Sequence, residues 1–340
     1  MPAQSLAHDL IARGYRVEII TDSRGLKFTK GFGTIKLHEV SAGTFGKGLP
    51  KLALGIAQSI AIILKSKPAA IVGFGGYPSF PGVLAAQLLL KPTILHEQNA
   101  IVGKANKALA CLATKIALSW PNSRGLSDKQ RAKSTVTGNP IRTEIAKIAD
   151  TPFPPITDTL NILVMGGSLG ATVFSKILPQ AFAQLPPENR AMLNITQQCR
   201  EADIPEVKAA YKAANIKATL MTFIDDVATE ITNAHLFIGR SGASTVAEIS
   251  AAGRPAIFVP YPHHADQQQK INADAIADNG GAWTIEEKDF TIERVKTHIE
   301  QCLAKPSTLS SAAAKAKACA NPNAAAKLAE LVETLINTKG

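Results

Sequence analysis

The chain has 340 residues, 46% hydrophobic and only 19% charged, enough apolar sequence to bury large cores, and its length suggests two domains more readily than one. Its four cysteines (Cys111, Cys199, Cys302, Cys319) lack CxxC or CxH spacing, which argues against a zinc site or a disulfide framework and fits a reducing cytoplasm. The net charge of +10 is concentrated in residues 1–150, with 20 Lys/Arg against 8 Asp/Glu, so this half is expected to meet an anionic partner; 5% aromatic residues and no RNA-binding aromatic motif argue against nucleic acid.

Residues 1–5 lack the charged and apolar regions of a signal peptide, and no apolar run reaches the ~18 residues of a membrane span. A helical pattern at 4–13 precedes the first β-rich run at 17–20. A doubly wound domain normally begins with its central strand, so the N-terminal domain either lacks its first strand or simply opens with a helix. The apolar segment 49–64, rimmed by Lys47, Lys51, Lys65 and Lys67, reads as a buried core helix or as an interfacial helix whose lysines meet anionic lipid.

A strand at 70–72 runs into Gly73-Phe74-Gly75-Gly76-Tyr77-Pro78, either a phosphate-binding turn or a rigid Gly/Pro loop. The strand at 93–95 delivers His96-Glu97-Gln98-Asn99, polar groups expected at the edge of a cleft, some of them facing a ligand. Strands follow at 115–118 and 135–136, and then prolines at 152, 154 and 155 mark a linker over 151–158.

A second series of strands follows, at 160–165, 192–196, 219–222, 235–238, 256–259 and 282–285, separated by helical patterns. Such alternation implies parallel sheets covered on both faces. The expected fold is α/β: two doubly wound, Rossmann-like domains facing a cleft, 1–150 and 159–340, the second with closing C-terminal helices.

In the second domain, Gly166-Gly167-Ser168-Leu169-Gly170 joins a strand to a helix and is suited to cradling a diphosphate; Ser168 breaks GxGxxG and counts against a dinucleotide cofactor. Asp225-Asp226 precedes a helix and reads as an N-cap. His263-His264 lacks a third ligand at metal-binding spacing, so no metal or other cofactor is assigned. Arg240-Ser241-Gly242 opens a helix carrying Ala243, Ser244, Thr245, Val246, Ala247 and Glu248. The helix N-terminus favours phosphate, and Glu248 is placed to accept hydrogen bonds from a ribose diol. Asp266-Gln267-Gln268-Gln269 then supplies amides that donate to and accept from sugar hydroxyls.

Taken in order, GGYPSFPG (75–82), HEQN (96–99), GNPIR (138–142), GGSLGA (166–171), RSGASTVAE (240–248) and DQQQ (266–269) resemble glycosyltransferase family 28 across nearly the whole chain. The resemblance is to its GT-B transferases that make a β-1,4 bond between N-acetylglucosamine, from its UDP donor, and undecaprenyl-diphospho-N-acetylmuramoyl-pentapeptide in peptidoglycan synthesis. It implies a peripheral protein on the cytoplasmic face of the bacterial inner membrane, touching an anionic membrane surface. Carried over by motif, Asn99, Arg142, Ser168, Ile224 (through its backbone, to uracil), Ala243 to Glu248, Gln268 and Gln269 form the donor site, and Gly75, Gly76 and Tyr77 the acceptor-diphosphate loop.

Members of that family open with a strand leading into GGTGGHxxPA, of which only Pro2-Ala3 is present. No catalytic base is therefore carried over, and His96 and Glu97 are the candidates within the chain. Two other readings share the donor site: an enzyme of the UDP-sugar 2-epimerase type, and a non-catalytic UDP-sugar-binding remnant.

Overall fold

The computed structural model describes residues 1–26, 33–43, 48–167, 171–263 and 266–338. The chain divides into two compact units, Met1–Arg142 with Asn321–Gly340, and Thr143–Ala320.

In the first unit all strand pairs are parallel, and they form two separate ladders. One joins β1 (Glu18–Thr21) to β2 (Lys36–Glu39); the other runs β3 (Ile71–Gly73), β4 (Thr93–Glu97), β5 (Lys115–Leu118), β6 (Ser134–Val136). Strand β2 was not expected: Lys36-Leu37-His38-Glu39 is short and polar, as an edge strand is allowed to be.

β1 and β3 share neighbours on both faces without pairing with each other. Ile20 and Ile71 pack around Ile63, Ala85 and Ala86, while Val17 and Val72 pack around Leu6, Leu10 and Ile94. Every residue of β1 is half-buried, whereas every residue of β4 is buried. Two strands that share both packing layers yet exchange no ladder bonds leave their facing N–H and C=O groups without the usual partner.

The expected boundaries shift in two places. The break falls after Arg142 instead of at 150, because helix Thr143–Lys147 buries Ile145 in the second unit. The C-terminal residues return to the first unit, where Leu328, Ala329, Val332 and Leu335 of helix Ala324–Asn337 pack on Leu6 and Leu10. The proline segment 151–158 is irregular, as expected, but does not hang free: Phe153 lies edge-on to His235 at 5.9 Å and under the Arg254 guanidinium at 5.8 Å.

The second unit holds one continuous parallel sheet in the order β12-β11-β10-β7-β8-β9: β7 Leu160–Met165, β8 Leu193–Gln198, β9 Lys217–Met221, β10 Leu236–Gly239, β11 Ala256–Phe258 and β12 Ala282–Thr284. The runs Leu236-Phe237-Ile238 and Ala256-Ile257-Phe258 are apolar without alternation because helices cover both faces. Phe174, Leu178 and Phe182 close the core over β7 and β8, with Phe290 edge-on to Phe174 at 5.7 Å. The strand order reverses between β7 and β10, and in open α/β sheets ligands bind outside the carboxyl ends of the strands at that point.

Candidate functional site

At the carboxyl edge of the second unit, the turns after β7 and β10 lie side by side, since Gly239 pairs with Met165. A side chain on Gly239 would come 2.6 Å from the Met165 carbonyl, so glycine is what lets the two strand ends approach. After β7 come Gly166 and Gly167, the latter at φ +85; Ser168 and Gly170 lie outside the described residues.

After β10 the chain turns through Arg240, Ser241 and Gly242 into helix Ala243–Ala251. Gly242 is its extended N-cap and no side chain caps it, so the first N–H groups and the positive end of the helix dipole are left for a ligand's oxygens. Arg240 does not reach toward that opening. It donates to the carbonyls of Val259 (3.0 Å) and Pro260 (3.1 Å) and pairs with Glu287, fixing the end of β11 beside the helix N-terminus.

On the same helix Ala243, Ser244, Thr245 and Ala247 are half-buried, Glu248 is buried, and Val246 belongs to the core. Gln268 and Gln269 open helix Gln268–Ala277, with Gln267 ahead of them at φ +49; the Gln269 side-chain Oε1 accepts from the Tyr261 N–H at 3.0 Å. These groups converge on the β7, β10 and β11 ends. Ile224 comes from the loop after β9, two strands beyond β7, and its buried side chain leaves the backbone as its only means of meeting a base. Beside it, Asp226 caps helix Val227–Asn233 as expected, accepting from the Thr229 hydroxyl at 2.6 Å and the Thr229 N–H at 3.0 Å, and these bonds, the hydroxyl's first, hold its carboxyl below the ordinary range.

In the first unit, the turns after β3, β4, β5 and β6 form the corresponding edge. Gly75 (φ +71) and Gly76 (φ +70) lead into helix Gly76–Leu88, which no side chain caps, and Tyr77 stands in its first turn. The Gln98 amide donates to the Phe74 carbonyl at 2.8 Å, tying the turn after β4 to the glycine turn. Asn99 is half-buried beside it, and Arg142 is half-buried at the end of this unit.

His96 and Glu97 do not stand at an open edge, contrary to expectation. His96 is 0% exposed, and burial pushes its pKa down to about 4, so the ring is neutral; its Nε2 lies 2.9 Å from the Gly138 carbonyl, an acceptor, so that nitrogen carries the proton and donates. Glu97 accepts four N–H groups: from the backbone and side chain of Asn99 (3.0 and 3.1 Å), the Gly103 backbone (2.9 Å) and the Asn106 amide (2.9 Å). With those bonds made, both residues shape the loops around them instead of presenting a lone pair to a substrate hydroxyl. Sequence reasoning missed Asn106 and the Arg240 clamp, since a single Asn in Lys-Ala-Asn-Lys-Ala-Leu carries no spacing signal.

Helix Leu49–Ser66 runs two residues beyond the expected segment, and by length and composition it is apolar enough to cross a membrane, with a mean hydropathy of 1.3. It buries only a stripe, Leu52, Gly55, Ser59 and Ile63. Leu54, Ala57, Ala61 and Leu64, spaced three or four apart on another face, are exposed together with Lys51 and Lys65. Among the described residues no cluster of three His, Cys, Asp or Glu is arranged to hold a metal ion.

Residues 1–118 match the glycosyltransferase family 28 N-terminal domain and residues 161–332 the family 28 C-terminal domain. The chain belongs to glycosyltransferase family 28. Among its relatives is the UDP-N-acetylglucosamine–N-acetylmuramyl-(pentapeptide) pyrophosphoryl-undecaprenol N-acetylglucosamine transferase of Rhodospirillum centenum, 42% identical over 97% of this chain and 90% of that protein. The transferase of the same name from Agrobacterium fabrum is 41% identical over 98% and 90%.

The crystal structure of Acinetobacter baumannii MurG superposes with a TM-score of 0.80 at 31% identity, over 98% of this chain and 95% of that one. A UDP-GlcNAc 2-epimerase from Neisseria meningitidis, crystallised with UDP-GlcNAc, shares the fold alone, at a TM-score of 0.64 and 13% identity. Within family 28 the two Rossmann-like units are those of a GT-B glycosyltransferase.

Proposed function

We propose that this family 28 enzyme transfers N-acetylglucosamine from UDP-GlcNAc to undecaprenyl-diphospho-N-acetylmuramoyl-pentapeptide, forming the β-1,4 bond of the lipid-linked disaccharide. The observation that carries the reading is the switch point of the second unit. There a glycine turn, an uncapped helix N-terminus and the buried carboxylate Glu248 converge, in a chain whose full-length relatives are named for this transfer. Helix N–H groups neutralise the leaving diphosphate, Glu248 takes the ribose hydroxyls, Gln268 and Gln269 read the sugar, and the Ile224 backbone meets the uracil. By motif alone, Ser168, Asn99 and Arg142 are further proposed donor contacts. The acceptor's 4-hydroxyl displaces UDP with inversion at the anomeric carbon.

Gly75, Gly76 and Tyr77 hold the acceptor diphosphate at the second uncapped helix. The exposed apolar face of helix Leu49–Ser66, with its lysines, seats the first unit on the anionic cytoplasmic leaflet, where the lipid acceptor resides. The experiment is transfer of labelled N-acetylglucosamine to a short-chain muramoyl diphospholipid, run in parallel with UDP-GlcNAc alone. Transfer supports the reading; isomerisation of the donor without acceptor, or donor binding with no turnover under any condition, would overturn it.

A further inference from the structure

The strongest feature outside the carried-over site is the Asn106 side chain, on helix Lys104–Leu109 beneath the glycine turn. Asn106 is 3% exposed in a short helix otherwise made of Lys, Ala and Leu. Its Nδ2 donates to the His96 carbonyl at 3.1 Å and to Glu97 Oε2 at 2.9 Å, while Oδ1 has no partner among the described residues. A buried acceptor without a partner is costly unless some state of the protein supplies a donor.

What lies above this amide is Gly75. A Cβ placed there would come 3.1 Å from Asn106 Nδ2 and 3.6 Å from Oδ1. The turn therefore rests on the amide, at a position held by glycine both for its φ of +71 and for this close approach. The same Glu97 carboxylate that takes Asn106 on one oxygen takes both N–H groups of Asn99 on the other. A diphosphate offers only acceptors, so Oδ1 has nothing to give it directly; the amide acts on the turn.

We propose that Asn106 is a positioning residue for the acceptor substrate. It holds the Gly75–Gly76 turn in one register, and its Oδ1 accepts a main-chain N–H of the turn as the turn closes on the acceptor's diphosphate. The inference rests on the transferase reading above and adds a residue that motif and spacing leave unassigned.

The test measures KM and kcat for both substrates in the full chain and in Asn106→Ala, Asn106→Ser and Gly75→Ala, singly and as the double variant Gly75→Ala with Asn106→Ala. Thermal melting and UDP titration run alongside. Expected is a rise in acceptor KM of roughly tenfold or more in Asn106→Ala, with donor KM and UDP affinity within about twofold. Asn106→Ser, which keeps a small donor and acceptor, recovers part of the loss. In the double variant the two losses do not multiply, because Asn106→Ala vacates the space a Gly75 methyl needs.

Equal loss toward both substrates in step with a lowered melting temperature, or single effects that multiply in the double variant, would overturn the proposal. Failure of the unaltered chain to transfer sugar while still binding UDP would instead overturn the transferase reading, so the two failures are distinguishable.

Discussion

The two units use the same parallel βαβ plan and differ in how completely the sheet is closed. In the second unit six strands form one ladder, with Leu236, Phe237 and Ile238 of β10 fully buried at its centre. In the first, β1 and β2 stand apart from β3 to β6, and β1 is half-buried along its length although layers pack on both of its faces. A sheet's cohesion resides in its uninterrupted ladder, so the same number of strands in two ladders makes a weaker body. The switch point proposed to take the sugar donor sits on the continuous sheet, and the Gly75–Gly76 turn with the apolar helix sits on the divided one.

Supplying the first unit with a parallel strand gives the sharpest contrast. Fusing an apolar strand of about six residues and a glycine turn ahead of Pro2 is expected to raise the melting of the first unit by several degrees, as about 1 kcal/mol shifts the midpoint of a domain this size by roughly 2–4 °C. The second unit's transition should stay in place. Calorimetry that shows a single unchanged transition in both forms would remove the difference in closure as a cause of stability.

Next in size is Glu248→Ala, which removes the buried carboxylate from the proposed donor site. Steady-state kinetics should show roughly a hundredfold loss in kcat/KM for UDP-GlcNAc, on the order of 3 kcal/mol, with acceptor KM little changed. Equal effects on both substrates would mean that Glu248 supports the fold instead of the donor.

Acid separates the units differently. His96 in the first unit and His298 in the second are each pushed down to about 4 by burial, and burial also lowers His235 in the second. Each folded-state pKa lies below the unfolded value of about 6.5, so the unfolded chain binds the extra protons. The stability these groups contribute is complete above pH 6.5 and is lost as pH falls through each folded-state pKa, near 4 for His96 and His298, at up to about 1.4 kcal/mol per pH unit for each group. With two such histidines against one, the second unit should lose stability faster between pH 6.5 and 4, and the two melting transitions should converge. Transitions that keep their separation down to pH 4.5 would contradict this.

The smallest effect is expected from Asp226→Ala. It removes the cap of helix Val227–Asn233 near Ile224, which is proposed to meet uracil, and should lower second-unit stability slightly, with a modest rise in donor KM. An unchanged melting temperature would show that the cap is redundant with packing of Val227 and Ile231.

The continuous sheet was the more legible of the two. Its strands are uninterrupted apolar runs that end in Gly166-Gly167 and Ser241-Gly242, so period, turn chemistry and helix start agree with one another, and the Asp226 cap could be read from its position alone. β2 escaped notice because Lys36-Leu37-His38-Glu39 carries no apolar pattern: an edge strand needs none. His96 and Glu97 looked like ligand-facing groups because a polar run after a buried strand usually points outward. Here the Gly138 carbonyl and the N–H groups of Asn99, Gly103 and Asn106 meet them from the loops around.

The sequence by itself determined the two βαβ series, the order of the motifs, and the ambivalent apolar segment at 49–64, because these depend on residues close together in the chain. Only the tertiary structure decided that the C-terminal helix returns to pack on Leu6 and Leu10, that helix Leu49–Ser66 leaves a second apolar face outward, and that Asn106 lies beneath Gly75. Those outcomes turn on which distant surfaces meet, and burial and hydrogen bonding between residues far apart in sequence leave no local period to read.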